Sequence, residues 1–193
     1  MKPIDALMTE HRAIERSLDA VEAWVRRARD ERRNDADTLK RFVAFVREVV
    51  DPLHHGKEET VLFATMIEHG FPREHGPIAV MLQEHERARQ FMDVLSELAS
   101  KPEWSPGDWD RIAQSVEAYA TLMRQHVRKE DTVLYPMAEA RLPPLIMDRI
   151  ERAFEQLDRQ HESSGQAGVV SAAASLCEPR GDASGLPAAS AAP

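Results

Sequence analysis

HHGKEETVLF at His54–Phe63 and HVRKEDTVLY at His126–Tyr135 are two copies of one pattern, H-x-x-K-E-acidic-T-V-L-aromatic. In each copy a glutamate follows a histidine by four residues, His54 with Glu58 and His126 with Glu130. On an α-helix this spacing puts both side chains on one side, a single turn apart, close enough to hold the same or adjacent metal ions. The echo reaches upstream, where TEHRAIERSLDAV resembles QEHERARQFMDVL and aligns Glu10-His11 with Glu84-His85. The chain therefore reads as two helix hairpins of one kind, as a pseudo-symmetric bundle requires.

Apolar residues at steps of three and four extend this reading along the chain. They predict a first helix from Pro3 to about Arg29 and a second from about Thr38 to Ile67. The third runs from Pro77 to about Ala99 and the fourth from about Asp108 to Met137. Pro52 predicts a kink or short break near Asp51, because an internal proline loses a backbone hydrogen bond and clashes with the preceding turn. Pro136 marks a frayed end. The expected fold is all-α: an up-down-up-down four-helix bundle, with a short fifth helix, Pro144 to Gln160, packed across one end. Beyond His161 the composition turns to Ser, Ala, Gly and Pro, which predicts a single domain over 1–161 and a disordered tail over 162–193 that carries none of the chemistry.

Bulk composition narrows the function. With 42% hydrophobic and 30% charged residues and no apolar run near the ~20 residues that span a bilayer, the chain is expected to be soluble, without a membrane partner. The start, MKPIDALMTEHRAIERS, lacks the apolar stretch of a signal peptide, which points to the cytoplasm. One cysteine, Cys177, excludes an internal disulfide and a thiolate metal site. A net charge of −8 argues against a nucleic-acid partner.

Each of the four main helices aims one histidine at the bundle axis. At about 100° per residue, Val43, Val50 and Val61 fall within about 40° of His54. His126 continues the stripe of Tyr119, Leu122, Met123 and Val133; His11 lies with Leu7, Ile14 and Leu18, and His85 with Ile78, Met81, Ala88 and Met92. The register His55/Glu59 is rotated by about 100° toward the polar side, and Val127 replaces His55 in the second copy, so His55 is expected at the surface or behind the ligands. Burying four imidazoles and two carboxylates uncompensated would cost several kcal/mol per charged group, comparable with the ~5–15 kcal/mol that holds a domain together. Two cations remove that cost, and an imidazole-rich, thiolate-free set favours iron over manganese or zinc. His69 and His75 read as loop histidines, and Tyr119 as a packing residue two turns from His126.

These residues resemble the hemerythrin-like, or HHE cation-binding, family, a four-helix bundle with a non-haem di-iron centre. The resemblance covers about His11 to Met137. It implies two iron ions held by His11, His54, Glu58, His85, His126 and Glu130, with Glu58 and Glu130 as bridges. The family's oxygen carriers use five histidines, including an H-x-x-x-H pair on the third helix, but here Arg89 follows His85 by four residues, which weakens the carrier reading. Those carriers also place an aspartate five residues after the last histidine, which makes Asp131 an alternative to Glu130. The four-histidine, two-glutamate set is closer to the family's iron–sulfur cluster repair proteins, which respond to nitric oxide and oxidative stress. The implied function is binding or reaction with a small ligand, either oxygen, nitric oxide or peroxide; the alternative is an oxygen- or redox-sensing or iron-storage module without turnover.

Overall fold

In the computed structural model, residues 2–31 and 34–177 are described, and they are almost wholly helical. Four rods form the bundle. The first is α1 (Pro3–Asp30), begun by Pro3, whose fixed φ suits the first helical turn. The second spans 36–68 in consecutive segments: α2 (Ala36–Phe45), π1 (Val46–His55), π2 (Glu58–Phe63) and α3 (Ala64–Glu68). The third is α4 (Gly76–Ala99), and the fourth runs over 106–141 as α5 (Pro106–Lys129), π3 (Glu130–Leu134) and α6 (Tyr135–Arg141). Connections this short leave consecutive rods only an antiparallel, up-down-up-down arrangement.

The ends are set by local chemistry. Asp35 caps the second rod by accepting from the Thr38 N–H and also takes the Trp24 indole N–H at 3.1 Å, tying the cap to the core. Ser105 opens the fourth with a capping box: its hydroxyl accepts from the Asp108 N–H, and the Asp108 carboxylate accepts from the Ser105 N–H. Gly76, the first residue of α4, has φ +76, a left-handed turn that few other residues tolerate, just before Pro77.

Both proline expectations need correction. Pro52 does not break the second rod. It lies inside π1, where closure from residue i to i+5 widens the turn and relieves the clash of the ring with the carbonyl one turn back. Pro136 does not end the fourth rod either, because it falls at the start of α6, where a missing N–H does no harm, and the helix continues to Arg141.

The fifth helix, α7 (Pro144–Ser163), lies along the flank of the first two rods rather than across one end. Ile150 and Phe154 pack with Ile4, Leu7, Leu62 and Phe63. The expected disorder from residue 162 fails for 169–177, which form α8 (Val169–Cys177). Val169, Ala173 and Leu176 bury themselves in the core against α1 and the second rod, so an alanine-rich segment of low polarity found enough apolar area to order it. Residues 178–193 of the expected tail lie outside the described residues.

The core has two parts. One cluster runs through Leu18, Trp24, Phe42, Leu95, Ile112 and Tyr119; the other gathers Leu7, Phe63, Met66, Met81 and Leu134. On every rod the histidines fall between them: His11 between Leu7 and Ile14, His54 between Val50 and Leu62, His85 between Met81 and Ala88, His126 between Met123 and Leu134. A polar layer is thus closed above and below by apolar side chains. Among the described residues no helix is long and apolar enough to cross a membrane.

Candidate metal centre

The structure brings His11, His54, Glu58, His85, His126 and Glu130 together in this layer, every one of them buried. It adds His55, which is 1% exposed. The helical-wheel expectation for His55 is corrected by π1: packing more residues into each turn draws successive side chains closer in angle, so His54 and His55 both face inward. The ring of His55 stacks on that of His85, with centroids 3.9 Å apart.

Two groups form. One ligand atom from each of His11, His54, Glu58 and Glu130 lies within 4.8 Å of the others, and the same holds for His55, Glu58, His85 and His126. Glu58 belongs to both. Glu130 also spans them, since its Oε2 is 3.2 Å from His11 Nε2 and 3.2 Å from His126 Nε2. Asp131 and Glu59 stand outside: Asp131 takes Nδ1 of His11 at 2.7 Å, and Glu59 takes Nδ1 of His85 at 2.7 Å. His69 and His75 are exposed, and Tyr119 packs between Phe42 and Phe91, away from both groups.

Each imidazole meets a carboxylate at its outer nitrogen, and each carboxylate meets a cation. His54 is backed by Glu10 and Lys57, and His126 by Glu84 and Lys129. His85 is backed by Glu59 and Arg89, and His11 by Asp131 and Arg12. His55 is backed by Asp51 and, again, Arg89. Such partners fix Nδ1 as the outward donor, so Nε2 faces the interior and offers its lone pair there once its own proton has left. Glu10 and Glu84, each one residue before a cluster histidine, could have been found from the repeated Glu-His pair. Asp51 had a weaker signal, its i, i+4 spacing to His55.

The electrostatics bear on what the layer can hold. Burial pulls the His11 imidazolium down, but its bond to Asp131 and the charges of Glu130 and Glu58 outweigh this and raise its pKa to about 9. For His126, burial is likewise overcome by Glu130, and the value rises to about 10. Burial and the neighbouring His85 push His55 well below the imidazole range. Burial raises the Glu130 carboxyl, but His126 and His11 hold it well below its usual range, so the carboxylate stays charged in the interior. Glu58 Oε2, both oxygens of Glu130 and Nε2 of His55 are buried without a hydrogen bond. Buried polar atoms that face one another without donors are expensive unless a cation lies among them. Five imidazoles and two carboxylates suit a pair of borderline cations such as iron.

Tyr135 completes the layer. Its hydroxyl donates to Glu58 Oε1 at 2.5 Å and lies 3.3 Å from His11 Nε2. Phe63, its counterpart in the first copy of the repeat, stacks against His85 instead.

The sequence signature described as hemerythrin HHE cation binding domain matches residues 2–138. The uncharacterized protein Rv1995 of Mycobacterium tuberculosis is 25% identical over 166 residues, covering 86% of this chain and 64% of its own length. The Mycobacterium bovis protein Mb2018 matches to the same extent. The iron–sulfur cluster repair protein YtfE of Yersinia pestis is 33% identical over 89 residues, 44% of this chain and 40% of its own. The chain thus spans less than two thirds of the length of these relatives. No solved structure gives a significant match.

Proposed function

Because this chain belongs to the hemerythrin HHE cation-binding family, we propose that it holds two non-haem iron ions in the buried polar layer and there binds or reacts with a small ligand, either oxygen, nitric oxide or peroxide. His11, His54, Glu58 and Glu130 would hold one ion; His55, His85 and His126 would hold the other, with Glu58 and Glu130 shared. The observation that carries this reading is the shared Glu58, together with the buried atoms of Glu58, Glu130 and His55 that have no hydrogen-bond partner. Bound there, iron would supply ferrous–ferric redox chemistry and an open position for the ligand.

The protein's own residues make the two halves unequal. Three imidazoles crowd one half, whereas two imidazoles and the Tyr135 hydroxyl face the other. The less crowded half leaves room for an incoming ligand, and Tyr135 is the buried O–H donor beside it. The apolar clusters on either side exclude water. A role in iron–sulfur cluster repair draws support from the name of the Yersinia relative, and a place in nitrosative or oxidative stress goes with that reading. The same reading keeps the protein in the cytoplasm.

His55 favours a second reading as well. A fifth imidazole within reach matches the ligand number of reversible oxygen binders, so binding without turnover, as a carrier, sensor or store, stands beside reaction. Metal analysis and an absorption spectrum of aerobically purified protein, then reduction and exposure to oxygen or nitric oxide, test both. Two irons per chain, with oxo-bridge bands lost in His54→Ala and Glu130→Ala, are expected. Less than about one metal per chain, or bands unchanged in both variants, would overturn the reading. Recovery of the starting spectrum when the gas is removed selects binding over reaction.

A further inference from the structure

Lys57 and Lys129 occupy equivalent places in the two copies of the repeat, and each donates to the glutamate behind a cluster histidine. They differ in everything else. The Lys57 side chain is 2% exposed, against 38% for Lys129. Its ammonium sits between two carboxylates, Glu10 at 2.5 Å and Asp158 at 2.6 Å, and lies 5.9 Å from the centroid of the Phe154 ring. Asp158 and Phe154 both belong to α7, which follows the four rods and lies beyond the stretch matched by the family signature.

We propose that Asp158 is a positioning residue of the metal centre, acting through Lys57 and Glu10 to set the donor strength of His54. The inference rests on the layer holding iron. An ammonium has three N–H bonds to distribute and one charge to share. Where Lys129 gives its charge to Glu84, Lys57 divides it between Glu10 and Asp158. Glu10 therefore keeps more of its own negative charge for the Nδ1–H of His54, 2.8 Å away. A stronger acceptor at Nδ1 makes the imidazole a better electron donor at Nε2, which favours the more highly charged state of whatever cation it meets. Helix α7 is then part of the centre's electronic design, and it acts on the half that faces Tyr135.

The test uses the full chain loaded with ferrous iron and compares the wild type with Asp158→Asn, Asp158→Glu and Phe154→Leu. The readouts are iron affinity, the ferric–ferrous midpoint potential and the melting temperature of the metal-free protein. In Asp158→Asn the potential is expected to move upward and ferric iron to bind about tenfold more weakly, the low end of what outer partners of ligating histidines contribute. Asp158→Glu should restore both. Phe154→Leu loosens α7 without removing charge, so it should lower the melting temperature and leave the potential in place. An Asp158→Asn protein that folds with unchanged potential and affinity overturns the inference, and so does one that fails to fold, since Asp158 would then be a folding residue. A wild type that takes up no iron would instead strike the reading of the site.

Discussion

His85 and His126 turn their Nε2 atoms toward each other across 3.0 Å, while the Nδ1 of each is engaged with a carboxylate, Glu59 and Glu84. Two lone pairs cannot face one another at that distance without a proton or a metal ion between them. Without metal, protons fill the gap, and that has a consequence for pH.

The pKa values of His11 and His126 in the folded protein, about 9 and about 10, lie above the ordinary imidazole value of 6.5. A raised folded-state value contributes stability that is complete below about 6.5 and lost as pH rises through 9 to 10. The metal-free protein is therefore expected to melt at a lower temperature at pH ~9.5 than at pH ~6.5. Iron must displace the same protons, so affinity should rise over that range, with protons released on binding. Thermal scans with chelator and with ferrous iron at both pH values check this; a metal-free protein stabilised by rising pH contradicts it.

His55→Val copies the residue found at Val127 in the second copy of the repeat. The fold is expected to survive, because His55 Nε2 makes no hydrogen bond and Asp51, which loses the Nδ1–H of His55, keeps Arg89. Affinity for one of the two ions should fall by more than the roughly 10–100-fold that loss of a ligand's outer partner costs, while the other stays, a split that a competitive chelator titration reads.

Tyr135→Phe removes the donor to Glu58 Oε1 in a fully buried setting. In the metal-free protein this should cost about 1–3 kcal/mol, the usual cost of leaving a buried acceptor unpaired. With iron bound the carboxylate has another partner and the loss should shrink. Denaturant unfolding of both forms checks the difference; equal losses would separate Tyr135 from the centre.

Ser105→Ala deletes one arm of the capping box of α5. A loss of about 1 kcal/mol is expected, with iron content unchanged, since the cap lies at the far end of its rod from His126. Urea unfolding together with metal analysis tests both halves of the statement.

The repeat made the bundle legible, because His–Glu pairs on apolar stripes leave few alternatives to a shared interior. The six residues read from it do meet in one layer. His55 escaped because the wheel assumed an unbroken α-helix, and nothing local in VREVVDPLHH announces the wider turn beyond its proline. Pro52 reads as a kink or short break near Asp51, and in the folded chain the helix runs on through it as π1. In the sequence Asp131 and Glu59 read as members of alternative ligand registers, and tertiary packing instead sets them behind His11 and His85, while Asp51 looks like an ordinary surface charge until it meets His55. Helix α8 was hidden because its apolar residues are small, mostly alanine and valine, and stand in a Ser-, Ala- and Gly-rich stretch; its order comes from the groove that receives it.

The two apolar clusters that close the polar layer also set a clock. A cation arriving at the finished fold finds Leu7, Phe63 and Met81 on one side and Leu18, Phe42 and Met123 on the other, all buried. Loading through these two faces then waits on transient opening of the rods rather than on diffusion. Iron supplied while the chain is still folding should enter far faster than iron offered to the closed bundle, and once inside it should leave just as slowly.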